Sequence, residues 1–175
     1  MRDKQIISDT IACPMEENDI GAVKTMLIEF YGHLNGLGYI YKLNTDFLDD
    51  YVRLMLDSRL GKIILLKQDG RDIGFVSVNA PRLNKKYVAP GAKNIGVISE
   101  IYVRPEYRGR GYAKKLFAAA GEFLKTLGIS HVMAEVVENN KASFALFGSL
   151  KFSPFYTVMM KELDNGKDGF SVDEK

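Results

Sequence analysis

Apolar residues along this chain switch between a helical and a strand-like period, and the switches mark out its elements. Ile20, Val23, Leu27 and Phe30 share one helical face and predict a helix over residues 16–31, preceded by a strand over 5–12. The aromatic stretch 31–41 holds three glycines and reads as a loop. Thr45 or Asp46 can cap a second helix that buries Phe47, Tyr51, Leu54 and Met55, with Gly61 as its stop. Two apolar runs, 62–67 and 72–78, flank Asp69-Gly70, a strong hairpin signal, and are expected to pair antiparallel.

A basic connection over 80–93, containing Pro and Gly, leads to a third apolar run, 95–103. Beyond it, Ala113, Leu116, Phe117, Ala120, Phe123, Leu124 and Leu127 line one face of a long amphipathic helix that Gly128 ends. A strand over 131–137, a helix over 141–150 and a last strand over 155–161 complete the order, and the tail 164–175 is expected to be disordered. Periodicity alone therefore yields a mixed α/β domain over 1–163. A chain of 175 residues with 46% hydrophobic content can bury one proper core, and it carries no repeat or low-complexity tract.

Candidate chemistry concentrates where the 95–103 strand turns into the long helix, through Arg104-Pro105-Glu106-Tyr107-Arg108-Gly109-Arg110-Gly111-Tyr112-Ala113. Gly109 and Gly111 remove side chains at the turn, so backbone N–H groups can close on an anion that also feels the helix dipole. Arg108, Arg110, Lys114 and Lys115 put four cations within about one helical turn of those groups, a density suited to pyrophosphate. No stretch matches a Walker loop. The dinucleotide fingerprint fails because Lys114 stands where a third small residue should pack the helix on its strand. Two other uses of the glycines stay open: a structural turn with a solvated basic face, and a site for NAD or ATP.

The pattern Arg/Gln-x-x-Gly-x-Gly/Ala is matched from Arg108 to Ala113. With Ile101-Tyr102-Val103 before it, and Asn140-Lys141-Ala142 and Phe152 after it, the chain resembles the GNAT superfamily of acyl-CoA-dependent N-acyltransferases. The resemblance implies a GNAT-like α/β fold, with a mixed central sheet of about six to seven strands flanked by about four helices. It implies acetyl-CoA as co-substrate, bound by Ile101, Tyr102, Val103, Arg108, Gly109, Arg110, Gly111, Tyr112, Ala113, Asn140 and Phe147. An amine would attack the thioester directly, between the 95–103 and 131–137 strands, which splay apart in this family. Val103 stands where the family uses a strand-end backbone N–H near the thioester carbonyl. A homodimer would be ordinary for the family.

Glu100 is the candidate base, a carboxylate in an otherwise apolar strand, where burial would raise its pKa and let it take a proton directly or through water. Its alternative role is a strand-end acid that pairs with a cation or faces solvent. The chain departs from the family at the position seven residues after Asn140, usually tyrosine and here Phe147, which cannot donate a proton. Tyr156, Tyr102 or water would then protonate the leaving thiolate, unless it departs unaided. Phe147 equally completes a core stripe with Phe144 and Leu150. Asn140 can cap its helix, bind the pantetheine arm, or do both. Lys151 stands before Phe152 where the family commonly has glycine.

A net charge of +2 is too balanced to imply a nucleic-acid partner. No apolar stretch approaches membrane-spanning length and the N-terminus lacks a secretory segment, so the expected location is cytoplasmic. Cys13 is the one cysteine and is expected to be a small core or strand residue; His33 and His131 fall in no ligand spacing, so no metal is expected. For the acceptor, Tyr31, Tyr39, Tyr41, Phe47 and Tyr51 beside Asp46, Asp49 and Asp50 could hold a cationic amine, whereas Arg82, Lys85 and Lys86 point to acidic acceptors; both clusters also fit solvated surfaces. Two functions follow. One is N-acetylation of a small-molecule or protein amine; the other is a non-catalytic acyl-CoA-binding or sensing domain.

Overall fold

The paired runs around Asp69-Gly70 form the middle of a single sheet in the computed structural model, which describes residues 10–81 and 95–161. Its elements are β1 (Thr10–Pro14), α1 (Ile20–Gly36), α2 (Leu48–Asp57), β2 (Gly61–Gln68), β3 (Arg71–Asn79), β4 (Gly96–Val103), α3 (Tyr112–Thr126), β5 (Val132–Ala134) and α4 (Lys141–Ser149). The strands lie in the order β1-β2-β3-β4-β5, antiparallel except for the parallel β4–β5 pair. The hairpin is a two-residue turn in which Asp69 (φ 49°) and Gly70 (φ 76°) both take the left-handed conformation that matches the strand twist.

Alternation along the strands loads both faces of the sheet. Ile64, Leu66, Val76 and Val78 face one way and meet Leu116, Ala120 and Leu124 of α3 and Phe147 of α4. Ile63, Leu65 and Phe75 face the other and meet Val23, Met26 and Leu27 of α1 and Val52 and Met55 of α2. The result is a three-layer α/β arrangement, with the chemistry-bearing β4 covered on both faces.

Several expectations are corrected. The described residues hold five strands, not six to seven. Residues 155–161 form no strand and are exposed throughout, with Phe155 and Met159 86% and 87% exposed; the neighbouring edge strand β5 has only three residues to offer as a ladder. Part of the first strand and all of the 164–175 tail lie outside the described residues, as does nearly all of the 80–93 connection. The 31–41 stretch is not wholly loop. Leu34 extends the buried stripe and carries α1 through Gly32 to Gly36, and Gly38 (φ 93°) ends it, with Tyr39 N–H donating to Leu34 and Gly38 N–H to Asn35. Phe47 and Leu54, expected inside, are 65% and 68% exposed because α2 turns Leu48 and Val52 inward alongside Met55, which is buried as expected. Asn44 caps the short 3-10 turn before α2, ahead of Thr45 and Asp46.

The end of α4 carries the glycine-like geometry without the glycine. Phe152 N–H donates to Phe147 and Lys151 N–H to Gly148, and Phe152 packs on Phe147 with ring centroids 5.0 Å apart, so Lys151 is forced to φ 68°.

Candidate active site

β4 and β5 are bonded for three residues only, Gly96 to Ile98 against Val132 to Ala134. Past that point β4 continues to Val103 with β3 on one side and, among the described residues, no strand on the other, so the sheet opens beside Ser99 to Val103. A bulge begins the open stretch. β3 passes from Ser77 to Val78 while β4 passes from Glu100 back to Ile98, which leaves Ser99 over as the extra residue. The bulge turns Glu100 to the α1/α2 face, in line with Tyr102, while Ile98 and Val103 face α3.

Glu100 is 6% exposed and its carboxylate is met by hydroxyls. Tyr31 of α1 donates to Oε1 at 3.0 Å and Tyr51 of α2 to Oε2 at 3.0 Å. Tyr51 also lies 2.9 Å from Ser77 Oγ, and Ser77 is fully buried across the ladder from Glu100. Burial raises the Glu100 pKa, and the three hydroxyls oppose that rise without cancelling it. Burial, reinforced by the negative charge of Glu100, pushes both phenols above their ordinary value.

The turn into α3 lies beyond the end of the open strand. Gly109 (φ 77°) and Gly111 (φ 79°) take left-handed conformations, and a Cβ at either position would meet no atom within 4 Å, so the turn presents bare backbone to open space. Gly111 is the residue before the first turn of the 15-residue α3, and no side chain caps that end. Arg108 Nε donates to the Val103 carbonyl at 2.8 Å and its guanidinium lies 5.6 Å from the Tyr102 ring centroid, which binds the turn to the end of β4. Arg110 spans back to the Glu106 carbonyl and lies over Tyr107. The Tyr112 hydroxyl donates to Gln68, and Ala113 packs at the edge of the α3 core.

The remaining expected residues separate. Ile101 packs toward α3, while Tyr102 is buried between Phe30 and Phe75 on the opposite face. Asn140 is buried and accepts from Ser143 N–H at 3.1 Å, capping α4. Phe147 is 7% exposed and sits in the core against Phe152. Tyr156 is 53% exposed and donates to Glu135 at 3.2 Å. Of the expected acceptor residues, Tyr31 and Tyr51 reach Glu100, and Tyr39 lies where it feels both Glu135 and Glu100. Asp49 is instead engaged by Lys24 and Arg53. Arg82, Lys85 and Lys86 lie outside the described residues.

Ser77 escaped the sequence reading. The signal was a hydroxyl inside Phe75-Val76-Ser77-Val78, but only the β3–β4 register puts it under Glu100. No group of three or more His, Cys, Asp or Glu able to hold a metal ion occurs among the described residues.

The family model described as "Acetyltransferase (GNAT) family" matches residues 27–152. A search of curated proteins finds no match. Among solved structures, an aminoglycoside N-acetyltransferase, AAC(6')-Iy, in complex with CoA superposes with a TM-score of 0.75 at 17% identity, over 89% of this chain and 95% of that one. A tetramutant of the BH1408 protein from Bacillus halodurans superposes with a TM-score of 0.74 at 15% identity, over 87% and 99%. A ribosomal-protein-alanine N-acetyltransferase from Brucella melitensis biovar Abortus 2308 gives 0.64 at 15% identity, over 89% and 100%.

Proposed function

Because this chain belongs to the GNAT family of acetyltransferases, we propose that it transfers the acetyl group of acetyl-CoA to a primary amine, with Glu100 as the base. One observation carries the reading: the sheet opens between β4 and β5 with a buried carboxylate on the open strand and a bare glycine turn beyond its end.

The residues present fit acetyl-CoA. The uncapped N-terminus of α3 and the Gly109–Gly111 backbone offer N–H donors and a positive dipole end to a pyrophosphate, with Arg108 and Arg110 beside them. The free edge of β4 from Ser99 to Val103 offers backbone groups to an amide-bearing arm. Bound there, acetyl-CoA supplies an activated acyl group, and thiolate is its leaving group. Glu100 then needs to take one proton from the attacking ammonium or amine. Its burial favours that, since a carboxylate with a raised pKa accepts a proton near neutral pH more readily than an exposed one.

Protonation of the thiolate is assigned to Tyr156 or to water. Tyr156 is exposed beside Glu135, whereas Tyr102 is packed among aromatic rings with its phenol directed to Glu29. The acceptor is a small-molecule or protein amine; the related structures include proteins named for aminoglycosides and for a ribosomal-protein alanine.

Calorimetric titration with acetyl-CoA, with NAD and ATP as controls, tests the site. Saturable binding of acetyl-CoA alone is expected, followed by CoA-thiol release with members of an amine panel. Binding without release across the panel would identify an acyl-CoA sensor, and binding of NAD or ATP instead would overturn the assignment.

A further inference from the structure

The groups that offset the burial of Glu100 are hydroxyls: Tyr31 from α1, Tyr51 from α2 and Ser77 from β3, while Tyr39 feels the charge of both Glu135 and Glu100. Among the described residues no cation joins them. Tyr31 and Tyr51 each take a different carboxylate oxygen, so between them they fix the plane of a group that could otherwise rotate about its own side-chain torsions. We propose that Tyr31 and Tyr51 are positioning residues that aim the Glu100 carboxylate at the acceptor amine, Tyr51 with Ser77 forming the closed inner anchor and Tyr31 the outer side along which the amine enters. This rests on Glu100 being the base.

The asymmetry is in the surroundings. Behind Tyr51, Ser77 is fully buried and the core closes over it. Beyond Tyr31 the rings continue outward, Tyr31 to Tyr39 at 6.3 Å and Tyr39 to Tyr41 at 5.4 Å between centroids, and Tyr41 is 62% exposed. Asn35 fixes this row by donating to the carbonyls of Tyr39 at 2.7 Å and Tyr41 at 2.9 Å. A row of tyrosine rings ending at a carboxylate attracts an ammonium, which meets a ring face or a hydroxyl at each step. Both inner phenols are held above their ordinary value, so they remain O–H donors at any pH at which the enzyme is assayed.

Tyr31→Phe and Tyr51→Phe keep the rings and remove one donor each. A donor to a carboxylate favours its charged form, so each loss should raise the Glu100 pKa and move the acidic limb of kcat/KM for the amine to higher pH by about one unit. The KM for acetyl-CoA should not change. Ser77→Ala should move the limb the same way, because its hydroxyl also favours the charged form of Glu100.

A rate that falls equally at every pH, with the limb unmoved in both folded variants, would overturn the positioning role. The readout independent of turnover is the carboxyl carbon resonance of Glu100, identified by its loss in Glu100→Gln and titrated in wild type and both variants. If the wild type acetylates no amine, the base assignment fails. The titration still decides the clamp: a midpoint that rises in both variants supports it, and an unmoved midpoint removes it.

Discussion

At Glu100 burial opposes a negative charge and three hydroxyls favour it, with burial the stronger. Replacing Glu100 by Gln should lower kcat by roughly 10²–10⁴, the usual range for a general base, and steady-state rates at saturating acetyl-CoA measure this. Arg108 ties the glycine turn to the end of β4 and, in the proposed function, also meets the pyrophosphate. Arg108→Ala removes its bond to the Val103 carbonyl and its contact with Tyr102, and it should weaken CoA binding by about 10- to 100-fold in calorimetry while the fold survives. Lys151 makes the opposite case, a residue whose identity conflicts with its backbone. Its φ of 68° is imposed by the Phe147–Phe152 contact, and Lys151→Gly should raise stability by about 1 kcal/mol, read as a shift in the denaturant midpoint at constant slope.

Among the elements, the strand-turn-helix from β4 to α3 was the most legible, since its glycines, its helical stripe and the Gly128 stop all lie close together in the chain. Ile129 N–H does donate to Leu124 and Gly128 N–H to Lys125, as that stop requires. Gly111→Val places a β-branched residue at φ 79°, so it should destabilise the fold and fill the bare turn, and loss of CoA affinity in samples shown by circular dichroism to be folded is the expected outcome. The end of α1 is not legible in the sequence for a definite reason. Glycine marks both tolerated and terminating positions, and only the burial of Leu34 distinguishes Gly32 and Gly36, inside the helix, from Gly38, which ends it.

Across the whole molecule, two carboxylates set opposite responses to pH. Asp19 sits where burial opposes its charge but Lys67, 2.6 Å away, and the Glu16 N–H outweigh that, so its pKa is lowered. Its stabilising effect is present above the ordinary carboxylate range and is lost as pH falls through its folded value. Glu100 is raised, so its contribution is present below that range and is lost as pH rises through its folded value. Thermal melts should therefore show Asp19→Asn less stable than wild type at neutral pH, with the gap closing in acid. Glu100→Gln should match wild type in acid and gain on it as pH rises. Phe75→Ala, at a fully buried ring in the α1/α2 layer, should cost about 3–5 kcal/mol, the range of large cavities.

Local chemistry was enough for the sequence to determine the hairpin, the β4-to-α3 turn and the α/β class, because turn residues, apolar periods and helix stops act over a few residues. It also placed Glu100 on an apolar strand. Tertiary structure alone decided what surrounds that carboxylate. Tyr31, Tyr51 and Ser77 come from two helices and a neighbouring strand, and they meet only because the Ser99 bulge turns Glu100 to the α1/α2 face and the β3–β4 register sets Ser77 opposite. Hydrogen bonds between residues 49 and 69 positions apart depend on packing and register, which no short-range pattern in the chain records.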